Sequence, residues 1–413
     1  MAKAPSMGGA PGMGGAPGMG GAPGVGGAPG HRSVGVAAAG FTTFINLYST
    51  QALLPTLARS FGTSLAQTGL TVTASLVAVA LVAPFVGGIS DMLGRKRLIL
   101  GAAVLLVLPT LAAAWAPTLE VLVACRFLQG LLLPFIFAVT VAYVAEECEG
   151  AEGVRATGVY AVGTIIGGFA GRFIAGWTAD YLDWRAAFLV LAAITALGAL
   201  TIGLCLPGER QFRPVSGWRG SLSGFRDQFS NRQVMATCAV GFAVLFSIVA
   251  CFTYANFLLA APPYHLGPAQ LGSVFIVYLL GAVATPVASR VTLRLGRSRT
   301  MWLGVGTACT GLLLTLSHSL AAIVAGLALV AMGVFTEQVL SIGHVAVAAR
   351  TARSTAVGLY VTSYYVGGSL GGIVPAGIWA HLGWPGCVAL VLLVQMAALA
   401  ITWVVWPRQT GLP

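Results

Sequence analysis

The sequence predicts an all-α membrane protein of twelve transmembrane helices arranged as two pseudo-symmetric six-helix halves. Three observations predict it. Of 413 residues, 57% are hydrophobic and 8% charged, a ratio that no soluble domain of this size tolerates. Apolar runs long enough to cross a bilayer core, roughly 20 residues of helix each, recur twelve times. The second half also resembles the first at an offset of about 200 residues, the mark of a duplicated unit.

In chain order, residues 1–33 stand apart. A Met/Val-Gly-Gly-Ala-Pro-Gly hexapeptide repeated four times from Met7 to Gly30 leaves no apolar face to bury, so a disordered tail is expected. It has no basic stretch followed by an apolar run of the signal-peptide kind. Residues 34–206 form the N-terminal half, with spans at Gly35–Leu54, Gly69–Ser90, Leu98–Ala116, Val121–Val144, Gly158–Ala179 and Ala186–Leu206. Residues 207–232 carry five arginines and two acids and read as the linker. Residues 233–406 form the C-terminal half, with spans at Val234–Ala255, Leu271–Ser289, Met301–Leu316, Leu320–Val345, Val357–Ala380 and Val388–Trp406. Residues 407–413 are a second tail.

Lysine and arginine set the orientation, because short cytoplasmic loops retain them and exported loops exclude them. With both termini inside, 18 fall on the cytoplasmic side and only Arg59 and Arg185 outside, while Arg126 and Arg172 lie within spans. The net charge of +11 therefore reads as topology and contact with anionic lipids rather than nucleic-acid binding. Seven cysteines show no C-x-x-C pairing, so neither a disulfide framework nor a metal site is indicated, and no cofactor is expected. No nucleophile, base and acid converge and no phosphate-binding loop is present, which argues against an enzyme.

The repeat is sharpest between the fifth and eleventh spans, where Gly158, Tyr160, Gly167, Gly168, Gly171, Leu182 and Trp184 recur as Gly358, Tyr360, Gly367, Gly368, Gly371, Leu382 and Trp384. Between the second and third spans runs Gly87-x-x-x-Asp91-x-x-Gly94-Arg95-Lys96-x-x-Ile99, and in the fourth Leu122-x-x-x-Arg126-x-x-Gln129-Gly130. Both resemble signatures of the major facilitator superfamily, and two parallel six-span halves are that superfamily's architecture. The stretches Gly167–Arg185 and Ser363–Ser369 resemble its bacterial arabinose-efflux-like and drug/proton antiporter branch. The resemblance implies a monomeric secondary active transporter of the bacterial cytoplasmic membrane. By alternating access it would export a small organic solute, a sugar or drug-like compound, in exchange for protons. Proton-coupled uptake is the alternative within the same fold. One departure stands out: the antiporters' Gly-Pro-x-x-Gly-Gly has Gly168 in place of the proline and Arg172 in place of the last glycine.

The signature predicts a cytoplasmic gate of Gly87, Asp91, Gly94, Arg95, Lys96, Glu146 and Glu147. Gly87 would let another helix approach, Asp91 would face the N-terminus of the eleventh helix, and Arg95 would reach Glu146 or Glu147. Among eleven acids Glu337 alone is interior to a span, so proton coupling is assigned to it: a lone buried carboxyl holds a proton when dry and releases it when water arrives. Arg126 is grouped with it. At a rise of 1.5 Å per residue, however, Arg126 sits about 10 Å outward of its span centre and Glu337 about 7 Å inward, so no direct pair is expected. Arg126 has a second reading, as a tie to backbone carbonyls. The resemblance places Gly167, Gly168, Gly171 and Arg172 against the eighth span between the halves, where Arg172 would pin that interface or meet an anionic substrate. Cavity candidates are Asn46, Tyr48, Gln51, Thr253, Tyr254, Asn256, Gln338, Tyr364 and Tyr365, aromatic and amide groups suited to a neutral or weakly polar ligand.

Overall fold

The computed structural model describes residues 29–148, 150–209, 228–349 and 353–406. The hexapeptide repeats, most of the linker, the residues just before the eleventh helix and the C-terminal tail lie outside the described residues. Among those described, the secondary structure is helical, with no strand. The first span is Pro29–Leu47, continued by a 3₁₀ turn at Ser49–Leu53 and a short helix Leu54–Phe61. The second to eighth spans are Leu65–Leu93, Arg95–Ala114, Leu119–Glu147, Gly150–Tyr181, Trp184–Cys205, Arg232–Ala260 and Pro268–Leu295. The ninth is Arg297–Leu314 and the tenth Leu320–Ala348. Arg353–Val405 folds back at Gly383 (φ 60°) to give the eleventh and twelfth.

Local chemistry fixes the ends. The Ser64 hydroxyl accepts from the Gln67 N–H while the Gln67 side chain accepts from the Ser64 N–H, a capping box that starts the second span. The side chains of Thr118, Asp183 and Asn231 accept from first-turn N–H groups and so cap the fourth, sixth and seventh spans. Gly94 and Gly296, at φ 89° and 81°, close the second and eighth spans and open the third and ninth. A side chain would be strained at either position, so the paired Gly-Arg steps of the two halves share one backbone solution.

The repeat seen in sequence is a packing repeat. A Cβ at Gly167 would lie 2.6 Å from the Phe41 carbonyl oxygen, and one at Gly171 would strike that of Ile45. One repeat later, Gly367 and Gly371 meet the carbonyls of Phe242 and Phe246 in the same way. The absent side chains let the fifth span lie directly on the first, and the eleventh on the seventh. This corrects the expected placement of Gly167 and Gly171, which face the first span inside their own half. The rest of that helix does reach the eighth span: a Cβ on Gly176 would strike the Pro268 carbonyl, and one on Gly272 would lie 2.7 Å from the Arg172 carbonyl.

The halves meet at one end of the bundle. Among the described residues the hydrogen bonds between them are Gln51 to Thr253, Asn256 to Gln51, Thr73 to Ser369 and Trp177 to Ser273. All lie toward the end opposite Arg95 and Glu146, here called the far end. Residues 71–80 of the second span are almost all buried, whereas Phe85, Met92 and Leu93 toward the basic end are about half exposed. In the fifth and eighth spans Arg172 and Phe275 are buried, while Val154 and Leu293 are more than three-quarters exposed and Tyr181, at the far end of the fifth, is 74% exposed. Among the described residues, the hydrogen bonds between the halves therefore gather toward the far end, and none is at the basic end.

Candidate functional site

The far-end closure begins with a proline. Pro55 has no N–H to give the Gln51 carbonyl, and that carbonyl accepts instead from Asn256 Nδ2 across the interface at 3.1 Å. The Gln51 amide nitrogen donates to Thr253 Oγ1 at 3.1 Å, and its oxygen accepts from Arg172 Nε at 2.7 Å. Gln51, Thr253, Asn256 and Arg172 thus form one buried cluster joining the first, fifth and seventh spans. Tyr48, Phe275 and Tyr278 surround Arg172, their ring centroids 4.5, 4.6 and 4.5 Å from Cζ. Gly168 contributes its carbonyl to Arg172 Nη1 at 2.5 Å.

Arg126 occupies a second cluster. The turn at Tyr48 diverts the Gln51 N–H to the Tyr48 carbonyl at 3.0 Å, and Arg126 supplies donors to the carbonyls just before it: Nη1 to Asn46 at 2.8 Å and Nη2 to Leu47 at 2.6 Å. Nε donates to the Thr71 carbonyl and Nη1 also to Gln129. Gln129 continues to Thr110, Thr110 to Asn46, and Asn46 to Thr195. Asn46 therefore faces the interior of the N-terminal half rather than the space between halves. Arg126 and Asn46 tie the first, second, third, fourth and sixth spans together.

Glu337 lies in neither cluster. It is fully buried inside the C-terminal half, with its Cγ 3.4 Å from where a Cβ on Gly304 would sit. With the Gln395 amide oriented to satisfy its neighbours, its nitrogen donates to both Glu337 oxygens at 3.1 Å and its oxygen accepts from the Ser247 hydroxyl at 3.1 Å. Glu337 thus bridges the seventh, ninth, tenth and twelfth spans and does not meet Arg126. Gln338 beside it is half-buried.

An aromatic band crosses the centre. Phe44 and Phe137 lie 6.3 Å apart, Phe137 and Tyr365 5.9 Å, and Tyr365 and Tyr364 5.4 Å edge to face. This brings Tyr364 and Tyr365 to the junction of the halves, as their candidate role requires. Tyr254 is turned away; its hydroxyl donates to the Gly372 carbonyl at 3.0 Å. Phe137, Phe275 and Tyr278 were invisible as site residues in sequence, being aromatics in apolar runs with nothing to set them apart.

At the basic end Arg95 pairs with Asp91 at 2.8 Å and with Glu146, and also bonds Ser90. The Glu147 carbonyl accepts from Arg32. The Lys96 N–H donates to Glu209 Oε1 at 2.5 Å, and a Cβ on Gly94 would touch the same carboxylate. Glu209 was readable only as a linker acid, yet it serves as an anion at a helix N-terminus. Gly87 departs from expectation: a Cβ there would meet nothing within 4 Å.

Two six-span halves joined at one end around buried polar clusters define the architecture of a membrane carrier. The family model described as Major Facilitator Superfamily matches residues 36–261 and 243–412, and the chain belongs to that superfamily. It is 32% identical over 370 residues to the inner membrane transport protein YnfM of Escherichia coli, covering 89% of each chain. It is 30% identical over 369 residues to the uncharacterized MFS-type transporter YybF of Bacillus subtilis, covering 88% of this chain and 90% of that one. The solved human organic anion transporter MFSD10 superposes with a TM-score of 0.66 at 17% identity, covering 90% of this chain and 99% of that one. The protein is a multi-pass membrane transporter.

Proposed function

We propose that this transporter exports a small organic solute, a sugar or drug-like compound, in exchange for protons, working as a monomer in the bacterial inner membrane with both termini cytoplasmic. The observation that carries the reading is the asymmetry of closure. The basic end, which the charge distribution assigns to the cytoplasm, carries no hydrogen bond between the halves among the described residues, while the opposite end is tied by the Gln51 cluster. A resting state open to the cytoplasm suits a carrier that loads there. Glu337 is the proposed proton carrier; among the described residues its carboxyl oxygens accept from the Gln395 amide, so losing or gaining a proton changes that contact and with it the fit of the twelfth span on the tenth. Arg126, with every nitrogen engaged, acts in the other half as a fixed scaffold charge.

Inside-out vesicles test the proposal. A compound selected by thermal shift from a panel of sugars and amphipathic drugs should move against an imposed proton gradient. Movement with the protons would instead establish uptake. Glu337→Gln, which mimics the protonated form, should abolish gradient-driven accumulation and leave solute exchange without a gradient intact. Full retention of proton-driven transport would remove Glu337 from the mechanism.

A further inference from the structure

Arg126 and Arg172 are both fully buried guanidiniums in the N-terminal half. Neither has an acid: the ion pairs among the described residues are Arg32–Glu152, Arg95–Asp91 and Arg95–Glu146. Their surroundings differ. Arg126 gives all three of its nitrogens to carbonyls and Gln129. Arg172 gives Nε to Gln51 and Nη1 to Gly168, and its Nη2 donates no hydrogen bond among the described residues.

What surrounds that free edge is aromatic. Tyr48, Phe275 and Tyr278 present their rings to the guanidinium, and ring faces offset only part of what it costs to bury a cation. The Tyr278 hydroxyl is itself buried without a hydrogen-bond partner, an arrangement rare enough to need an explanation. A cation with an unused donor edge and a phenol with an unused hydroxyl stand together, and an anionic oxygen pair satisfies both. Tyr48 comes from the N-terminal half, and Phe275 and Tyr278 come from the C-terminal half, so an occupant here touches both halves.

Resting on the transport reading above, we propose that Arg172 and Tyr278 form the recognition site for the carboxylate of a monoanionic organic solute, whose apolar or aromatic body lies against Tyr48. A carboxylate is planar and bidentate, the geometry a guanidinium edge matches best. A neutral sugar or drug would leave the buried charge unanswered. Arg172 is thereby a specificity-determining residue, and the substrate class narrows from small organic solutes to organic acids.

The test uses the full-length protein purified in detergent and two matched probe pairs, benzoate with benzamide and 2-naphthoate with 2-naphthamide. Within a pair the rings are identical and only the charge differs. Thermal shift and intrinsic-fluorescence titration should show at least one acid binding tenfold or more tighter than its amide. Arg172→Gln should erase that preference. Because Arg172→Gln also removes packing, Gln51→Glu provides a second variant of unchanged shape. It places a carboxylate on Arg172 from within and should weaken the acid at least tenfold more than the amide. Equal binding of acid and amide, binding of neither acid, or an acid affinity unchanged in Gln51→Glu would overturn the proposal. Proteoliposomes that move neutral solutes while no acid binds would overturn it and leave the transport reading standing. Charge-selective binding without flux of any compound would do the reverse.

Discussion

Replacing Gln51 with leucine tests how the far end is held. Leucine keeps much of the volume and removes two hydrogen bonds. The bond to Thr253 crosses between the halves and exists only while the far end is closed; a neutral bond of this kind contributes about 1 kcal/mol. The bond from Arg172 is within one half, yet its loss is felt unequally. In the closed state Arg172 is buried and its Nε would go unpaired, whereas opening lets water replace Gln51. A charged donor left unpaired costs about 1 to 3 kcal/mol. The Asn256 bond goes to the Gln51 backbone and survives. Closure should therefore weaken by about 2 to 4 kcal/mol, which shifts the ratio of open to closed far ends roughly 30- to 1,000-fold. With the native cysteines replaced, Thr73→Cys reports the change, since Thr73 is buried against Ser369 and Gly372 in the closed state. An impermeant maleimide added from outside should label it at least five times faster in the Gln51→Leu background. Equal rates would show that the glycine contacts of the second and eleventh spans close the far end without Gln51.

Other perturbations separate scaffold from mechanism. Gly171→Val and Gly371→Val should each abolish stable expression, because both push a side chain into a backbone carbonyl; normal yield and melting temperature for either would refute the packing repeat. Arg126→Ala leaves the Asn46 and Leu47 carbonyls without their donors and should destabilise by about 1 to 3 kcal/mol for each carbonyl left buried and unpaired, read as a large drop in melting temperature in detergent. Asp91→Asn removes a charge from the Arg95 cluster; transport should fall severely while insertion survives, with the population moving toward a state parted at the basic end. Unchanged transport at equal expression would reduce Asp91 to a loop residue. A cysteine at Ser216, in the linker, should react with an impermeant reagent only in opened cells.

The twelve spans were legible because each is written twice, once in hydropathy and once in the repeat. Helix length was not: the seventh span runs from Arg232 to Ala260, past both ends of the apolar run, because Asn231 caps it and the polar pair Thr253 and Asn256 sits inside it. The break at Tyr48 was hidden for the opposite reason, since hydropathy continues through it and only Pro55 marks the lost helical bond. Among site residues, Arg95 was readable as a partner of Glu146 or Glu147 because charges are scarce, and the structure pairs it with Glu146. Thr110, Thr195, Ser247 and Gln395 were not, because a single hydroxyl or amide in an apolar run points nowhere until its partner is placed. The repeat held one unread signal: Thr195 and Gln395 stand at equivalent places in the sixth and twelfth spans, and each bonds into the polar core of its own half.

That correspondence shows how the duplication divides labour. The glycine faces are the same in both halves, and carbonyls of the first and seventh spans receive them in the same way. The polar cores built on that common packing have opposite character, a guanidinium satisfied by carbonyls in one half and a carboxyl held by one amide in the other. The basic ends diverge too. Arg95 meets Glu146 in the N-terminal half, while its counterpart Arg297 lies 2.6 Å from His344 Nδ1, whose ring stacks on Trp406. An arginine beside a carboxylate is attracted at any neutral pH, whereas an arginine beside an imidazole is tolerated only while the imidazole is uncharged. The backbone can therefore stay symmetric, as alternating access between two rigid halves requires, while each half responds to different chemistry.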